Sequence, residues 1–268
     1  MCGIVGFTGK NNAAEILLKS LESLEYRGYD SAGITVLNNK NFNTAKTAER
    51  IEKLKSDTKN GENMNGKTGI GHTRWATHGA PTVENSHPHF SENLKFAVVH
   101  NGIIENYSAL KEELLRDGFE FKSDTDTEVV PLLLQKYYKG DIKSAVAATV
   151  KRLEGSYALG IICADCPETI IAVRQFSPLI IGIGEGCNLI ASDVTALVSQ
   201  TKKVIYIDDG ETAFLTPSTV EIFDNSGAMV NKKISVIDWD VGLAQKGGYE
   251  HFMMKEIMEQ PDCVLKTV

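Results

Sequence analysis

Residues 157–191 read YALGIICADCPETIIAVRQFSPLIIGIGEGCNLIA, and this stretch decides the fold class. Short apolar runs alternate in it with turn residues, and the same pattern continues to residue 237. Runs of this kind predict short strands joined mostly by hairpins. The predicted strands cover residues 157–163, 169–173, 179–183, 188–191, 204–207, 213–215, 220–223 and 234–237.

Helical patterns precede this strand-rich part of the chain. The helix candidates are residues 12–24, 106–117, 125–137 and 142–153. Asn12 and Thr125 each stand three residues before a glutamate, which is the spacing of a capping box. Four further strands are predicted at 3–7, 32–37, 70–75 and 96–100, whereas the polar segment 38–68 predicts long connections with little core. Because helices come early, strands come late and the two do not alternate regularly, the pattern favours an α+β fold with antiparallel sheets over a doubly wound parallel fold.

Composition excludes several classes of function. The 268 residues are 42% hydrophobic and 24% charged, as in a soluble globular protein. The net charge of −7 argues against a nucleic-acid binder, which usually presents a basic face. No apolar stretch reaches the roughly 18 residues of a membrane span, and no basic segment followed by an apolar run marks a secretory leader. We therefore expect a cytoplasmic protein without membrane or nucleic-acid partners.

The cysteines and paired histidines do not predict a metal site. An odd count of five cysteines indicates free thiols in a reducing compartment. Cys163 and Cys166 have the C-x-x-C spacing, but a second pair of zinc ligands is not evident. His87 and His89 flank a proline without a third ligand at suitable spacing, so we interpret them as structural. No metal and no cofactor is expected.

The chain opens Met1-Cys2-Gly3, which places a thiol next to the N-terminus. If the initiator methionine is removed, Cys2 carries a nucleophilic sulfur and a free α-amino group. That amine titrates near pH 7.7–8.0 in model peptides, so it can act as the base for its own thiol, as the terminal amine does for threonine nucleophiles. On the tripeptide alone, chance is the better explanation, because every chain has some second residue.

Polar clusters follow several predicted strands. In the segment 71–79, GHTRWATHG, Arg74 can bind a carboxylate with two hydrogen bonds and Trp75 can cover a small ligand. Alternatively, Arg74 pairs with an acidic residue and Trp75 is simply packed. The density of functional side chains favours a binding loop.

Asn101 and Gly102 follow the predicted strand 96–100. A side-chain amide and a backbone N–H at a strand end form the donor pair of an oxyanion hole, although Asn-Gly alone is typical of a hairpin turn. Asp126 can hold an ammonium group or belong to a helix cap. Arg27 can orient the chain terminus or lie at a helix C-terminus, where the helix dipole favours a cation.

Together these clusters form a recognisable set. CGIVG at 2–6, LEYRGYDSAGI at 24–34, GHTRWATHGAP at 71–81, HNGIIEN at 100–106 and SDTDTE at 123–128 occur in this order. The set closely resembles the glutaminase domain of the glutamine–fructose-6-phosphate aminotransferase family, within the class II N-terminal-nucleophile amidotransferases. The strings are long enough to make coincidence negligible.

The resemblance implies a fold and a set of roles. The fold is a four-layer αββα sandwich of two antiparallel sheets. Cys2 is implied as the nucleophile that attacks the glutamine side-chain amide, and its α-amino group as the base. Asn101 and Gly102 are implied as the oxyanion hole. Arg74 would bind the α-carboxylate of the substrate, Asp126 would bind its α-amino group, and Thr77 and His78 would line the substrate site. Trp75 would lie on a loop that closes the site, and Arg27 would position the terminus.

The resemblance also implies partners and boundaries. Residues 2–240 match the glutaminase domain, and 241–268 match a linker and the start of a sugar-isomerase half that binds fructose 6-phosphate. The substrate would be L-glutamine, and the full-length enzyme would be a homo-oligomer. The alternatives are another class II amidotransferase, such as an amidophosphoribosyltransferase or a glutamate synthase, and a catalytically silent interaction domain that retains Met1.

Overall fold

Two antiparallel sheets form the centre of the computed structural model, which describes residues 2–27, 30–75, 79–238, 248–249 and 251–267. The strands are β1 (Gly3–Gly9), β2 (Ser31–Asn38), β3 (Asn41–Thr47), β4 (Thr68–Arg74), β5 (His89–Phe90), β6 (Phe96–Ile104), β7 (Gly155–Cys163), β8 (Ile170–Gln175), β9 (Ile180–Ile183), β10 (Cys187–Ala191), β11 (Lys203–Tyr206), β12 (Thr212–Leu215), β13 (Val220–Phe223) and β14 (Ser235–Val236). The helices are α1 (Ala13–Glu22), α2 (Ile51–Asp57), α3 (Tyr107–Arg116), α4 (Val129–Tyr137), α5 (Ile142–Val150) and α6 (Phe252–Thr267). In the described part of the chain, no helix combines the length and apolar character needed to cross a membrane.

The two sheets differ in size and in the helices that cover them. The eight-stranded sheet has the order β14-β11-β9-β10-β1-β4-β2-β3, and the six-stranded sheet has the order β13-β12-β8-β7-β6-β5. Apolar residues of α1 and α2 pack on the outer face of the first sheet, and those of α3, α4 and α5 pack on the second. A third cluster, which includes Ile4, Ile70, Val99 and Ile162, lies between the sheets. This αββα order is the predicted fold.

Local sequence explains α1 in detail. The Asn12 side chain accepts a hydrogen bond from the Ala14 N–H and donates to the Glu15 carboxylate, so the predicted cap forms. Leu17, Leu18 and Leu21 then point into the core. A predicted cap at Thr125 was wrong: the Glu128 carboxylate instead accepts the N–H groups of residues 122 and 123.

Three other segments depart from the sequence expectations. Residues 38–68 contain β3 and α2, and the core receives Ile51 and Leu54 from α2. The apolar pattern is weak there because β3 is an edge strand with one exposed face. The strand predicted at 96–100 extends to Ile104, since β7 pairs with β6 along its whole length. The sequence also predicts a helix over residues 250–260 that Pro261 ends, but α6 continues through Pro261 to Thr267.

Candidate active site

A cavity of about 530 Å³ opens beside the start of β1 and the C-terminal parts of β4 and β6. The sequence-predicted residues that line it are Cys2, Arg74, Trp75, Asn101, Gly102 and Asp126. Residues 2 and 74–75 lie at the ends of strands in the eight-stranded sheet, and residues 101–102 lie within β6 of the six-stranded sheet. The packing of the two sheets therefore brings together side chains that lie up to 124 residues apart in the sequence, from Cys2 to Asp126.

The Cys2 thiol is held by the backbone of Trp75. Cys2 directly precedes β1, and the pairing of Gly3 with Thr73 places it beside the end of β4. Its Sγ accepts the Trp75 N–H at 3.1 Å and lies 3.5 Å from the Trp75 carbonyl oxygen, to which the S–H donates. Burial raises the pKa of this thiol above its ordinary value. A neutral thiol needs a base before it can attack a carbonyl carbon.

Asn101 and Gly102 lie on β6, and not in a hairpin turn as the dipeptide alone suggests. The Asn101 Nδ2 donates to the Cys2 carbonyl oxygen at 3.1 Å, so the amide N–H₂ faces the nucleophile. Gly102 has a φ of +121°, and a Cβ at this position would lie 1.9 Å from the Ser156 carbonyl oxygen. Only glycine fits there, because both the backbone angle and the approach of β7 exclude a side chain.

Arg74 ends β4 and is 4% exposed. Its guanidinium donates to the carbonyl oxygens of Gly79 and Ala80, each at 3.2 Å. The same group lines the cavity. Arg74 thus holds the backbone of residues 79–80 and places a positive charge against the cavity.

Asp126 provides a negative charge in the same cavity. It begins a 3₁₀ turn at Asp126–Glu128, is 5% exposed, and accepts the Ile104 N–H at 2.8 Å. The His100 Nδ1 lies 3.9 Å from its carboxylate. A buried cation and a buried anion in one cavity can bind the two charged groups of an amino acid.

Four buried histidines, which no sequence spacing connects, pack together at the cavity, and two of them, His87 and His100, line it. The rings of His72 and His87 are 4.1 Å apart, and those of His87 and His89 are 4.7 Å apart. The Thr127 hydroxyl bonds both His87 Nε2 and His100 Nδ1. Burial lowers the pKa of His72 to about 3 and those of His87 and His89 well below the usual value, so these three rings are neutral.

None of these groups is arranged for a metal. Among the described residues, no set of three or more His, Cys, Asp or Glu side chains could hold a metal ion. The five cysteines are free thiols. The arrangement is therefore that of a nucleophile with hydrogen-bond donors and two oppositely charged groups.

Other residues predicted for the site lie outside the described part of the chain, and two residues that were not predicted line the cavity. Thr77 and His78 lie outside the described residues, as does the side chain of Arg27. Ser177 and Pro178 line the cavity although the sequence analysis did not single them out. They belong to the connection from β8 to β9, which passes from one sheet to the other. Their position depends on that crossing, for which no local sequence signal exists.

Comparison with known proteins gives a family match. The family model described as a glutamine amidotransferase domain matches residues 34–235. Curated proteins named glutamine–fructose-6-phosphate aminotransferase (isomerizing) match the whole chain, with 51% identity for the protein of Aquifex aeolicus and 52% for that of Caldanaerobacter subterraneus. The chain spans 45% and 44% of the length of these two relatives.

Solved structures share the fold. The glutamine phosphoribosylpyrophosphate amidotransferase of B. subtilis is 26% identical with a TM-score of 0.74, over 85% of this chain and 50% of the other. A structure described as the allosteric regulatory enzyme of purine biosynthesis is 27% identical, also with a TM-score of 0.74, over 84% of this chain and 49% of the other.

Proposed function

This chain belongs to the glutamine amidotransferase family, and from that premise we propose that it hydrolyses the side-chain amide of L-glutamine to glutamate and ammonia with Cys2 as the nucleophile. The observation that carries the proposal is the hydrogen bond from Asn101 Nδ2 to the Cys2 carbonyl oxygen. It places an amide donor within reach of the nucleophilic residue, inside a cavity that also holds a buried cation and a buried anion.

Substrate binding uses the two buried charges. Arg74 binds the α-carboxylate of glutamine, and Asp126 binds its α-amino group. Both side chains are already fixed by backbone contacts, Arg74 through residues 79–80 and Asp126 through Ile104. Fixed partners lose little freedom when the ligand binds, which favours affinity. From the family resemblance we further propose a substrate-binding role for Thr77 and His78 and a positioning role for Arg27.

The first chemical step is thioester formation. After removal of Met1, the α-amino group of Cys2 takes the thiol proton, and the sulfur attacks the amide carbon of glutamine. The oxyanion of the tetrahedral intermediate accepts hydrogen bonds from Asn101 Nδ2 and the Gly102 N–H. The protonated amine then returns its proton to the leaving nitrogen, and ammonia departs.

The second step releases glutamate. The same amine takes a proton from a water molecule, the resulting hydroxide attacks the thioester, and the same two donors stabilise the second oxyanion. Collapse of this intermediate breaks the C–S bond, and the protonated amine returns its proton to the leaving sulfur, which restores the Cys2 thiol. No metal or organic cofactor takes part. Trp75, whose ring is 54% exposed at the rim, closes the cavity over the substrate.

The names of the curated relatives suggest the larger enzyme in which this reaction takes place. We propose that residues 2–240 form the glutaminase domain and that 241–268 lead into a sugar-isomerase half, in which ammonia converts fructose 6-phosphate to glucosamine 6-phosphate. Relatives of about 50% identity named for that reaction favour it over a phosphoribosylpyrophosphate acceptor, whose structural representative is 26% identical. The full-length enzyme would be a cytoplasmic homo-oligomer.

A glutamine analogue with an electrophilic group tests the proposal. We expect it to alkylate Cys2 alone among the five cysteines, as read by peptide mass mapping, and to stop ammonia release in parallel. Ammonia release that continues after complete labelling of Cys2 would contradict the proposal. Intact mass shows at the same time whether the active chain begins at Cys2.

A further inference from the structure

The side chain of His72 lies directly behind Asn101. His72 is in the middle of β4, where it pairs with Ile4 and Gly33, and it is fully buried. Its Nε2 is 2.9 Å from Asn101 Oδ1, and this contact is itself buried. The other ring nitrogen, Nδ1, is buried without a hydrogen-bond partner among the described residues, although the His100 backbone favours a proton on the ring.

The chemistry of the two groups fixes the direction of this hydrogen bond. Asn101 Oδ1 can only accept, so Nε2 must carry the proton. With Oδ1 turned toward His72, Nδ2 is turned toward Cys2, where it donates to the carbonyl oxygen. If the proton were on Nδ1, Nε2 would be an acceptor, and the amide would have to rotate by half a turn to donate to it. Oδ1 would then face the catalytic cavity, where it would repel an oxyanion.

We infer that His72 is a positioning residue of the glutaminase site: its Nε2–H tautomer sets the orientation of the Asn101 amide and so keeps a donor directed at the developing oxyanion. This rests on the proposed function, because Asn101 is the oxyanion donor there. His72 touches neither the substrate cavity nor Cys2 in the contacts of the described residues. It acts only through Asn101.

The surroundings of the ring stabilise this arrangement. The His87 ring packs on His72 with a centroid distance of 4.1 Å, which limits rotation of the imidazole. Complete burial also disfavours the charged form, so the ring does not become a donor at both nitrogens in the working pH range. A neutral imidazole in a fixed orientation therefore holds the Asn101 amide in one orientation.

The test compares His72→Leu with His72→Gln. Leucine removes the donor at similar volume, whereas the glutamine amide nitrogen can occupy the place of Nε2. Loss of an oxyanion donor costs about 10²–10³ in kcat, so we expect His72→Leu to lower kcat at least about tenfold with little change in KM for glutamine, the pattern of an interaction made only in the transition state. We expect His72→Gln to restore most of kcat.

A double-mutant cycle with Asn101→Ala separates positioning from general damage. If His72 acts through Asn101, adding His72→Leu to Asn101→Ala lowers kcat no further. Alkylation of Cys2 by iodoacetamide needs no oxyanion hole, so its rate should be equal in the unmutated chain and in His72→Leu. The inference would be overturned if the fold-losses of kcat in the two single variants multiplied in the double variant, or if His72→Leu kept the wild-type kcat.

Nitrogen-15 NMR of the unmutated chain gives a reading that does not depend on any variant. Protonated and unprotonated ring nitrogens have distinct shifts, and we expect the proton of His72 on Nε2. A proton on Nδ1 overturns the inference even if the variants fail to fold. This measurement also separates the two proposals, since a chain that releases no ammonia would refute the proposed function while the tautomer is still observed.

Discussion

The backbone N–H of Trp75 donates to the Cys2 sulfur at 3.1 Å, and the Trp75 carbonyl oxygen accepts from the same thiol at 3.5 Å. One peptide segment thus satisfies both hydrogen-bonding functions of a neutral S–H. Burial raises the pKa of the thiol in the chain that still carries Met1. The sulfur is therefore protonated before the reaction, and a base must remove its proton before it can attack.

The first prediction concerns the reactivity of this thiol with pH. In a chain that retains Met1, a raised pKa keeps the thiol protonated, so alkylation by iodoacetamide should be slow at neutral pH and rise only above the pH at which glutathione becomes reactive. Removal of Met1 places an amine of pKa about 7.7–8.0 beside the sulfur and should shift the profile to lower pH. Peptide mapping of Cys2 labelling measures both; identical profiles would disprove the amine's role.

The second prediction concerns loss of the nucleophile. Cys2→Ala should reduce ammonia release from glutamine by at least about 10³-fold without changing the melting temperature by much, because the side chain is small and its thiol hydrogen-bonds to the backbone of Trp75. Cys166→Ala is the matched control, since Cys166 is also a partly buried free thiol but lies outside the cavity. Turnover near the wild-type rate in Cys2→Ala would refute the mechanism.

The third prediction concerns binding of the substrate carboxylate. Arg74→Lys retains the charge but loses the planar fork that reaches the carbonyl groups of residues 79 and 80 and the cavity together. We expect KM for glutamine to rise about tenfold to a hundredfold, equivalent to about 1.4–2.8 kcal/mol. Arg152→Lys, at an ion pair with Glu113 outside the cavity, should leave KM unchanged. Equal KM values in both variants would contradict the assignment.

The fourth prediction concerns the backbone at the oxyanion hole. Gly102→Ala puts a methyl group 1.9 Å from the Ser156 carbonyl oxygen, which is backbone and cannot move without disturbing β7. Gly118 also has a positive φ, of +90°, but a Cβ there has nothing within 4 Å. Gly118→Ala should cost about 1–2 kcal/mol of unfolding free energy from strain alone, and Gly102→Ala clearly more. Urea denaturation compares the two; equal losses would argue against the close approach.

The fifth prediction concerns stability in acid. His72, His87 and His89 have lowered pKa values in the folded chain because of burial, with His72 at about 3. An unfolded histidine titrates near 6.5, so below that pH the unfolded state binds more protons and stability falls as pH falls. Each such histidine contributes about 1.4 kcal/mol per pH unit between about 6.5 and its folded pKa.

Denaturant titrations between pH 7 and pH 5 measure this slope. His89→Gln removes one titrating group while its amide can keep a hydrogen bond to the Thr125 hydroxyl, to which His89 Nε2 is bonded at 3.1 Å. The variant should therefore show a slope smaller by one proton. An unchanged slope would mean that His89 is already protonated in the folded protein.

Much of the fold could be predicted from the sequence because its signals are local. The strands of the C-terminal half have apolar runs and turn residues, and α1 has both its cap and its apolar stripe. Two of the failed predictions had non-local causes. β3 is held by pairing with β2 and needs little apolar character, and residues 101–102 form strand instead of turn because Ala158 and Tyr157 pair with them.

The candidate site was less accessible to local reasoning. Arg74, Asn101 and Asp126 each had an ordinary structural interpretation, and only their resemblance to a family joined them to Cys2. Their convergence depends on how two sheets stack, which no spacing along the chain specifies. The role of His72 is likewise invisible in the sequence, because a histidine in an apolar strand is usually just packed. It becomes meaningful only through the 2.9 Å contact with Asn101.

The proposed nucleophile adjoins β1 of the eight-stranded sheet, and the proposed oxyanion donors lie on β6 of the six-stranded sheet. One asparagine joins the two sheets at this point through its contacts with Cys2 and His72. The rate of ammonia release therefore depends on the relative alignment of the two sheets, whereas circular dichroism measures the secondary structure within each sheet. A slip of one ångström between the layers would leave every strand intact and still separate donor from oxyanion. Hydrostatic pressure or dilute denaturant should therefore stop ammonia release before the secondary structure unfolds.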